Sequence, residues 1–188
     1  MNTPNKLTLL RIVLVPFFIL FLLVDAIPLH SLWALIVFAV ASFTDLLDGK
    51  IARKQNLVTN FGKFLDPLAD KVLVISGLIC FVQMGLSDAV VVVIIVAREF
   101  LVTSLRLVAV DNGNVIAASG LGKIKTAFTM TAMVGVMLLL ILKDFAVLPV
   151  EFPLFLVSEV LLWAAVVLTI ISGVDYLVKN RSSINTKK

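Results

Sequence analysis

Between residues 45 and 70 the chain places Asp45, Asp48, Asp66 and Asp70, a third of its twelve acidic residues. Asp45 and Asp48 are three apart and Asp66 and Asp70 are four apart, so on helices each pair falls on one face. A hairpin between them, with Gly49 and Gly62, can bring the two pairs together. Four like charges at one place repel unless some are protonated or a cation lies among them. Asp45 and Asp48 also fall at the C-terminal end of their helix, the wrong end of the macrodipole for an anion. A bound divalent cation removes both objections. Ligation by oxygen alone suits Mg²⁺ or Mn²⁺, with Ca²⁺ as a third candidate, whereas Zn²⁺ favours histidine or cysteine. The alternative is a set of solvated loop aspartates paired with Lys50, Arg53, Lys54, Lys63 and Lys71. Two helix-face pairs beside hydrocarbon argue against it, because carboxylates at membrane depth default to function.

A second set of residues is cationic. The stretch "AREFLVTSLRLVA" (97–109) holds Arg98, Glu99 and Arg106 in one helix. Arg98 and Arg106 are eight apart, about two turns, and share a face. "GLGKIKTAF" (120–128) adds Lys123 and Lys125. Together these residues suit a basic pocket for a phosphorylated acceptor, which an uncharged one would not need. The plainer reading makes Glu99 a partner for a neighbouring helix and the lysines a topological signal.

The elements that must position these residues are membrane helices. The chain has 188 residues, is 61% hydrophobic and has a mean hydropathy of +1.12. Soluble domains are about 45–50% apolar, so the composition argues against a soluble fold. Lipid offers backbone groups no hydrogen-bond partner, which dictates helices. The expected architecture is an all-α polytopic membrane protein with six spans, near 7–24, 31–53, 63–84, 88–110, 125–142 and 153–178, forming one domain over 1–188. The first ten residues, "MNTPNKLTLL", read as an interfacial lead-in, with Pro4 and Asn5 suited to a turn before the first helix. The apolar run from Ile12 to Val24 is not followed by a small-residue cleavage site, so it is retained as a helix.

Lysine and arginine set the orientation. Lys6 and Arg11, then Lys50, Arg53, Lys54 and Lys63, then Lys123 and Lys125, and the tail from Lys179 to Lys188 all fall on one side. The other side has Asp25, His30 and Asp88, with Lys143 as its basic residue. The positive-inside rule places both termini and the aspartates in the cytoplasm of a multi-pass cell-membrane protein. His30, the one histidine, then lies on the far side as a loop residue away from catalysis. Cys80, the one cysteine, excludes an intrachain disulfide and reads as a buried thiol.

The aspartates belong to a longer pattern, Asp45-x2-Asp48-Gly49-x2-Ala52-Arg53-x8-Gly62-x3-Asp66-x3-Asp70. It resembles the signature of the CDP-alcohol phosphatidyltransferases at all eight fixed positions. The resemblance implies six helices with a cytoplasmic-side active site between them. It also implies that an alcohol attacks the β-phosphorus of a CDP-linked lipid and CMP leaves. By similarity Asp45, Asp48 and Asp66 are metal ligands for two ions, Mg²⁺ or Mn²⁺, and Asp70 is a ligand or the general base. Gly49, Ala52, Arg53 and Gly62 are assigned to the cytidine diphosphate end. The residue chemistry agrees: Gly49 and Ala52 let a nucleotide approach the backbone, and Arg53 offers a fork to phosphate. A carboxylate beside cations is a weak base, so proximity must carry much of the rate.

The opening "NTPNKLTLLR" (2–11), with Asn2, Pro4, Asn5, Leu7, Thr8 and Arg11, resembles the bacterial phosphatidylglycerophosphate synthase branch of that family. This implies CDP-diacylglycerol and glycerol 3-phosphate as substrates. Arg98, Arg106, Lys123 and Lys125 become candidates for the acceptor phosphate, with Thr8 and Arg11 lining the same cavity. Relatives form homodimers, which the resemblance extends to this chain; no nucleic-acid partner is expected. Competing readings are the same chemistry on serine, inositol phosphate or phosphatidylglycerol, a divalent-cation transporter, and a non-catalytic lipid-binding relative. The transporter is disfavoured because no carboxylate pair continues a path through the opposite half of the membrane.

Overall fold

The computed structural model describes the backbone of residues 3–55, 60–111 and 119–181, and the side chains of 5–44, 68–69, 71–109 and 119–181. Six helices make up the fold: α1 (Thr3–Leu23), α2 (His30–Gln55), α3 (Asn60–Gln83), α4 (Ala89–Asp111), α5 (Gly120–Asp144) and α6 (Leu154–Lys179). Each coincides with one expected segment. Among the described residues three helices, Asn5–Leu23, Gly120–Asp144 and Leu154–Lys179, are long and apolar enough to cross a bilayer. α2 and α3 contribute shorter apolar stretches, His30–Thr44 and Lys71–Gln83.

Two expected boundaries move. α1 begins at Thr3, so Pro4 and Asn5 lie in its first turn rather than in a turn before it. Proline is at home there, because its fixed φ suits the helix and its missing N–H would have no intrahelical partner anyway. α5 begins at Gly120, which takes Lys123 and Lys125 out of the junction and into the helix. Ser119 explains the early start: its Oγ accepts the Gly122 N–H at 3.1 Å, the work of an N-cap.

The helices bury polar side chains among apolar ones and keep an apolar exterior. α6 buries Ser158, Glu159, Thr169, Ser172 and Gly173, while Val160, Val167, Ile170, Val174 and Val178 are exposed. α1 likewise buries Asn5, Thr8 and Arg11 and exposes Leu9, Val13, Phe17 and Leu20. An exterior so apolar is stable when the surrounding solvent is hydrocarbon, where small and polar residues mediate helix contact. The protein is a membrane protein.

The chain divides into two compact units, Met1–Gly85 with Val136–Pro153, and Leu86–Gly135 with Leu154–Lys188. In the first, α1 packs along α2 and α3. Phe18 meets Phe38 with centroids 5.6 Å apart, and Phe21 meets Trp33 at 6.3 Å. Numbers rising along α1 thus meet numbers falling along α2, an antiparallel pair. His30 proves to be the first residue of α2 rather than a loop residue. Its Nδ1 is 3.1 Å from the Phe21 carbonyl oxygen, which can only accept, so Nδ1 carries a proton. Its Nε2 faces Asp25 at 3.6 Å and Asp144 at 3.5 Å. α5 stops with the Ala146 N–H bonded to the Lys143 carbonyl and the Val147 N–H to the Leu142 carbonyl, both at 2.9 Å. This is a Schellman pattern, with Ala146 at φ 52° in the place glycine favours.

In the second unit α4 packs on α6. The Asp88 N–H, just before α4, donates to both oxygens of Glu159, at 3.3 and 3.2 Å. Ten residues on, Arg98 Nη2 donates to Ser172 Oγ at 2.8 Å. Both contact points advance together, so α4 and α6 run parallel.

Candidate active site

α2 continues to Gln55 and α3 begins at Asn60, so both aspartate pairs lie on helix ends joined by a short connection. On those helical backbones the three- and four-residue spacings keep Asp45 with Asp48, and Asp66 with Asp70, on common faces. The side chains of Asp45, Asp48, Gly49, Ala52, Arg53, Gly62, Asp66 and Asp70 lie outside those described. Among the described residues no group of three or more histidines, cysteines, aspartates or glutamates is arranged to hold a metal ion. The donor set of the signature is oxygen only, on two packed helices, and this fits a hard divalent cation.

Thr8 and Arg11 are fully buried in the first unit, one turn apart on α1. The Phe18–Phe38 and Phe21–Trp33 contacts fix their level against α2. Carried back along α1, Arg11 falls level with 43–45 and Thr8 with 46–48. The structure therefore sets these two residues at the height of the first aspartate pair.

The cationic residues sort differently. Arg98 and Lys125 come together, with Glu99 between them. Arg98 Nη1 and Lys125 Nζ both donate to Glu99 Oε1, at 3.0 and 2.7 Å. Lys125 is 4% exposed, Arg98 13% and Glu99 22%. A lysine so buried is tolerable only with a counter-charge, which Glu99 supplies. Arg106 and Lys123 stand exposed and do not join the cluster. For Arg106 the reason is geometric: eight residues leave it about 80° round the helix from Arg98, since each residue turns 100°.

Three buried contributors escaped the sequence reading. Ser172 and Gly173 approach Arg98 from α6; their signal was a small-residue pair in an otherwise aliphatic helix. Glu159 is a carboxylate within an apolar helix, which by default suggests function. Here it accepts from the Asp88 N–H and from Trp163 Nε1 at 3.1 Å, a structural clasp. A cavity of about 650 Å³ lies at the opposite end of the first unit, lined by Asp25, His30, Lys143 and Asp144 among others. None of the expected site residues lines it, and the signature chemistry gives it no role.

Known proteins resemble this chain along most of its length. The sequence profile of the family described as CDP-alcohol phosphatidyltransferase matches residues 1–171. A CDP-diacylglycerol–glycerol-3-phosphate 3-phosphatidyltransferase of Bacillus subtilis is 45% identical over 98% of both chains. One of the same name from Rickettsia bellii is 41% identical over 93% of both chains. A profile that reaches from α1 into α6, and relatives this similar over nearly their full length, leave one conclusion: the chain belongs to the CDP-alcohol phosphatidyltransferase family and is an enzyme of that class.

Proposed function

We propose that this enzyme transfers the phosphatidyl group of CDP-diacylglycerol to glycerol 3-phosphate, giving phosphatidylglycerophosphate and CMP. The observation that carries this reading is near-full-length similarity to relatives bearing that activity in their names. The cluster of Arg98 and Lys125 about Glu99 supports it, because a phosphorylated acceptor needs cations and an uncharged alcohol does not.

In this mechanism Asp45, Asp48, Asp66 and Asp70 hold two divalent ions, Mg²⁺ or Mn²⁺. When bound, such ions neutralise the charge of a pyrophosphate. Arg53 forks onto phosphate at the cytidine diphosphate end, and Gly49, Ala52 and Gly62 let the nucleotide approach. Arg98 and Lys125 hold the acceptor phosphate. Asp70 takes the proton from the acceptor hydroxyl. That oxygen bonds to the β-phosphorus as the phosphorus–oxygen bond to CMP breaks. Holding both reactants in line supplies much of the acceleration. Thr8 and Arg11, level with the first aspartate pair, line the cavity that takes the acceptor phosphate. Arg106 and Lys123 provide a basic approach at the surface.

The same reading has six spans with both termini and the active site at the cytoplasmic face, supported by the distribution of lysine and arginine. One profile running through 1–171 supports a single transferase domain, and a homodimer is part of the proposal. The test uses purified protein in detergent with CDP-diacylglycerol, Mg²⁺ or Mn²⁺, and glycerol 3-phosphate, following CMP release. Release should require both metal and glycerol 3-phosphate. Release with serine, inositol phosphate or phosphatidylglycerol instead would keep the family and overturn the acceptor. Metal uptake into vesicles without any lipid product would overturn the transferase reading.

A further inference from the structure

The Arg98–Glu99–Lys125 cluster carries two positive charges against one negative. Among the described residues the two cations share this one carboxylate, an arrangement that suits an incoming anion. Both cationic groups converge on a single atom, Glu99 Oε1, and the carboxylate holds a guanidinium and an ammonium side by side that would otherwise repel. α6 fixes the other edge of the guanidinium. Ser172 Oγ accepts from Arg98 Nη2 and donates to the Thr169 carbonyl at 3.1 Å. A Cβ at Gly173 would stand 3.2 Å from Arg98 Cγ, closer than side chains normally approach. The capped amino end of α5 reaches the same place, since a Cβ at Gly122 would lie 3.9 Å from Arg98 Nη2. Helix amino ends favour anions.

We infer that Glu99, Ser172 and Gly173 are positioning residues that hold Arg98 and Lys125 as a preformed receptor for a phosphate monoester, and so select phosphorylated acceptors over uncharged ones. The inference rests on the transfer reaction proposed above. Glu99 acts through the two cations and not on the substrate itself. Preformed receptors bind better because the groups need no ordering when the ligand arrives.

The experiment measures CMP release by the full-length enzyme in detergent, with KM for each substrate and the ratio of kcat/KM for glycerol 3-phosphate over glycerol. Glu99→Gln keeps the shape and removes the charge. It should raise KM for glycerol 3-phosphate about tenfold or more, lower the ratio by a similar factor, and leave KM for CDP-diacylglycerol within about twofold. Glu99→Asp should recover part of the loss. Ser172→Ala and Gly173→Ala should give smaller rises in the same KM, and they decide the matter if the Glu99 variants do not fold. An unchanged acceptor KM in the folded variants overturns the inference. So does a parallel loss in both KM values and in kcat, which marks a purely structural role. If the wild type itself ignores glycerol 3-phosphate, the proposed reaction falls first and takes the inference with it.

Discussion

At the scale of single residues, the proposed chemistry makes Asp70 the position of greatest leverage. Asp70→Asn is expected to lower the rate of CMP release about 10²–10⁴-fold, the usual worth of a general base, with protein yield unchanged. Chelator should abolish release, and Mg²⁺ or Mn²⁺ should restore it. The aspartates stand out in the sequence by type and spacing alone, and the helical backbones of α2 and α3 keep each pair on one face. The receptor around Arg98 was only half legible. Arg98 and Lys125 stood out as cations in apolar sequence, but Glu99 meets Lys125 across 26 residues and Arg98 meets Ser172 across 74. No local periodicity encodes such pairings, and a serine in an apolar helix announces little by itself.

At the scale of elements, hydropathy alone locates all six helices, because in lipid every apolar stretch of this length must be helical. What it misplaces are the ends, where short polar residues decide. Pro4 and Asn5 are compatible with a turn or a first helical turn, and Ser119 as a cap moves α5 five residues forward. The end of α5 gives a sharp prediction. A residue with a Cβ in the left-handed region costs about 1–2 kcal/mol, and Ala146 sits there. Ala146→Gly should therefore stabilise the protein, by about 1 kcal/mol or somewhat less after the added freedom of the unfolded chain. Thermal unfolding in detergent would show it as a raised midpoint with unchanged activity.

At the scale of the whole molecule, the apolar exterior of α6 defines where charge cannot go. Val167, near the middle of that helix, is 52% exposed. Val167→Lys should impair insertion by about 2.5–3.5 kcal/mol, the penalty for lysine at a helix centre, seen as loss from the membrane fraction. Orientation is testable because Cys80, the one cysteine of the chain, is buried. In a Cys80→Ser background, a cysteine at Val150, which is fully exposed, should react with an impermeant reagent added outside intact cells. One placed at Asn185 should react only after the membrane is opened. The reverse pattern would invert the proposed topology.

The clasp between Glu159 and the Asp88 N–H has a consequence for what α4 can tolerate. With one end of the helix pinned there and Arg98 hydrogen-bonded to Ser172 further along, the intervening run from Val90 to Val96 works as a spacer of fixed length. Its exposed members, Val90 and Val93, are interchangeable with other aliphatic residues, whereas Val91, Val92 and Ile95 are packed in the core. They are not dispensable in number. Deleting a single one would turn Arg98 by 100° and draw it back by about 1.5 Å, carrying the guanidinium away from its partners while leaving the hydropathy of the helix almost untouched.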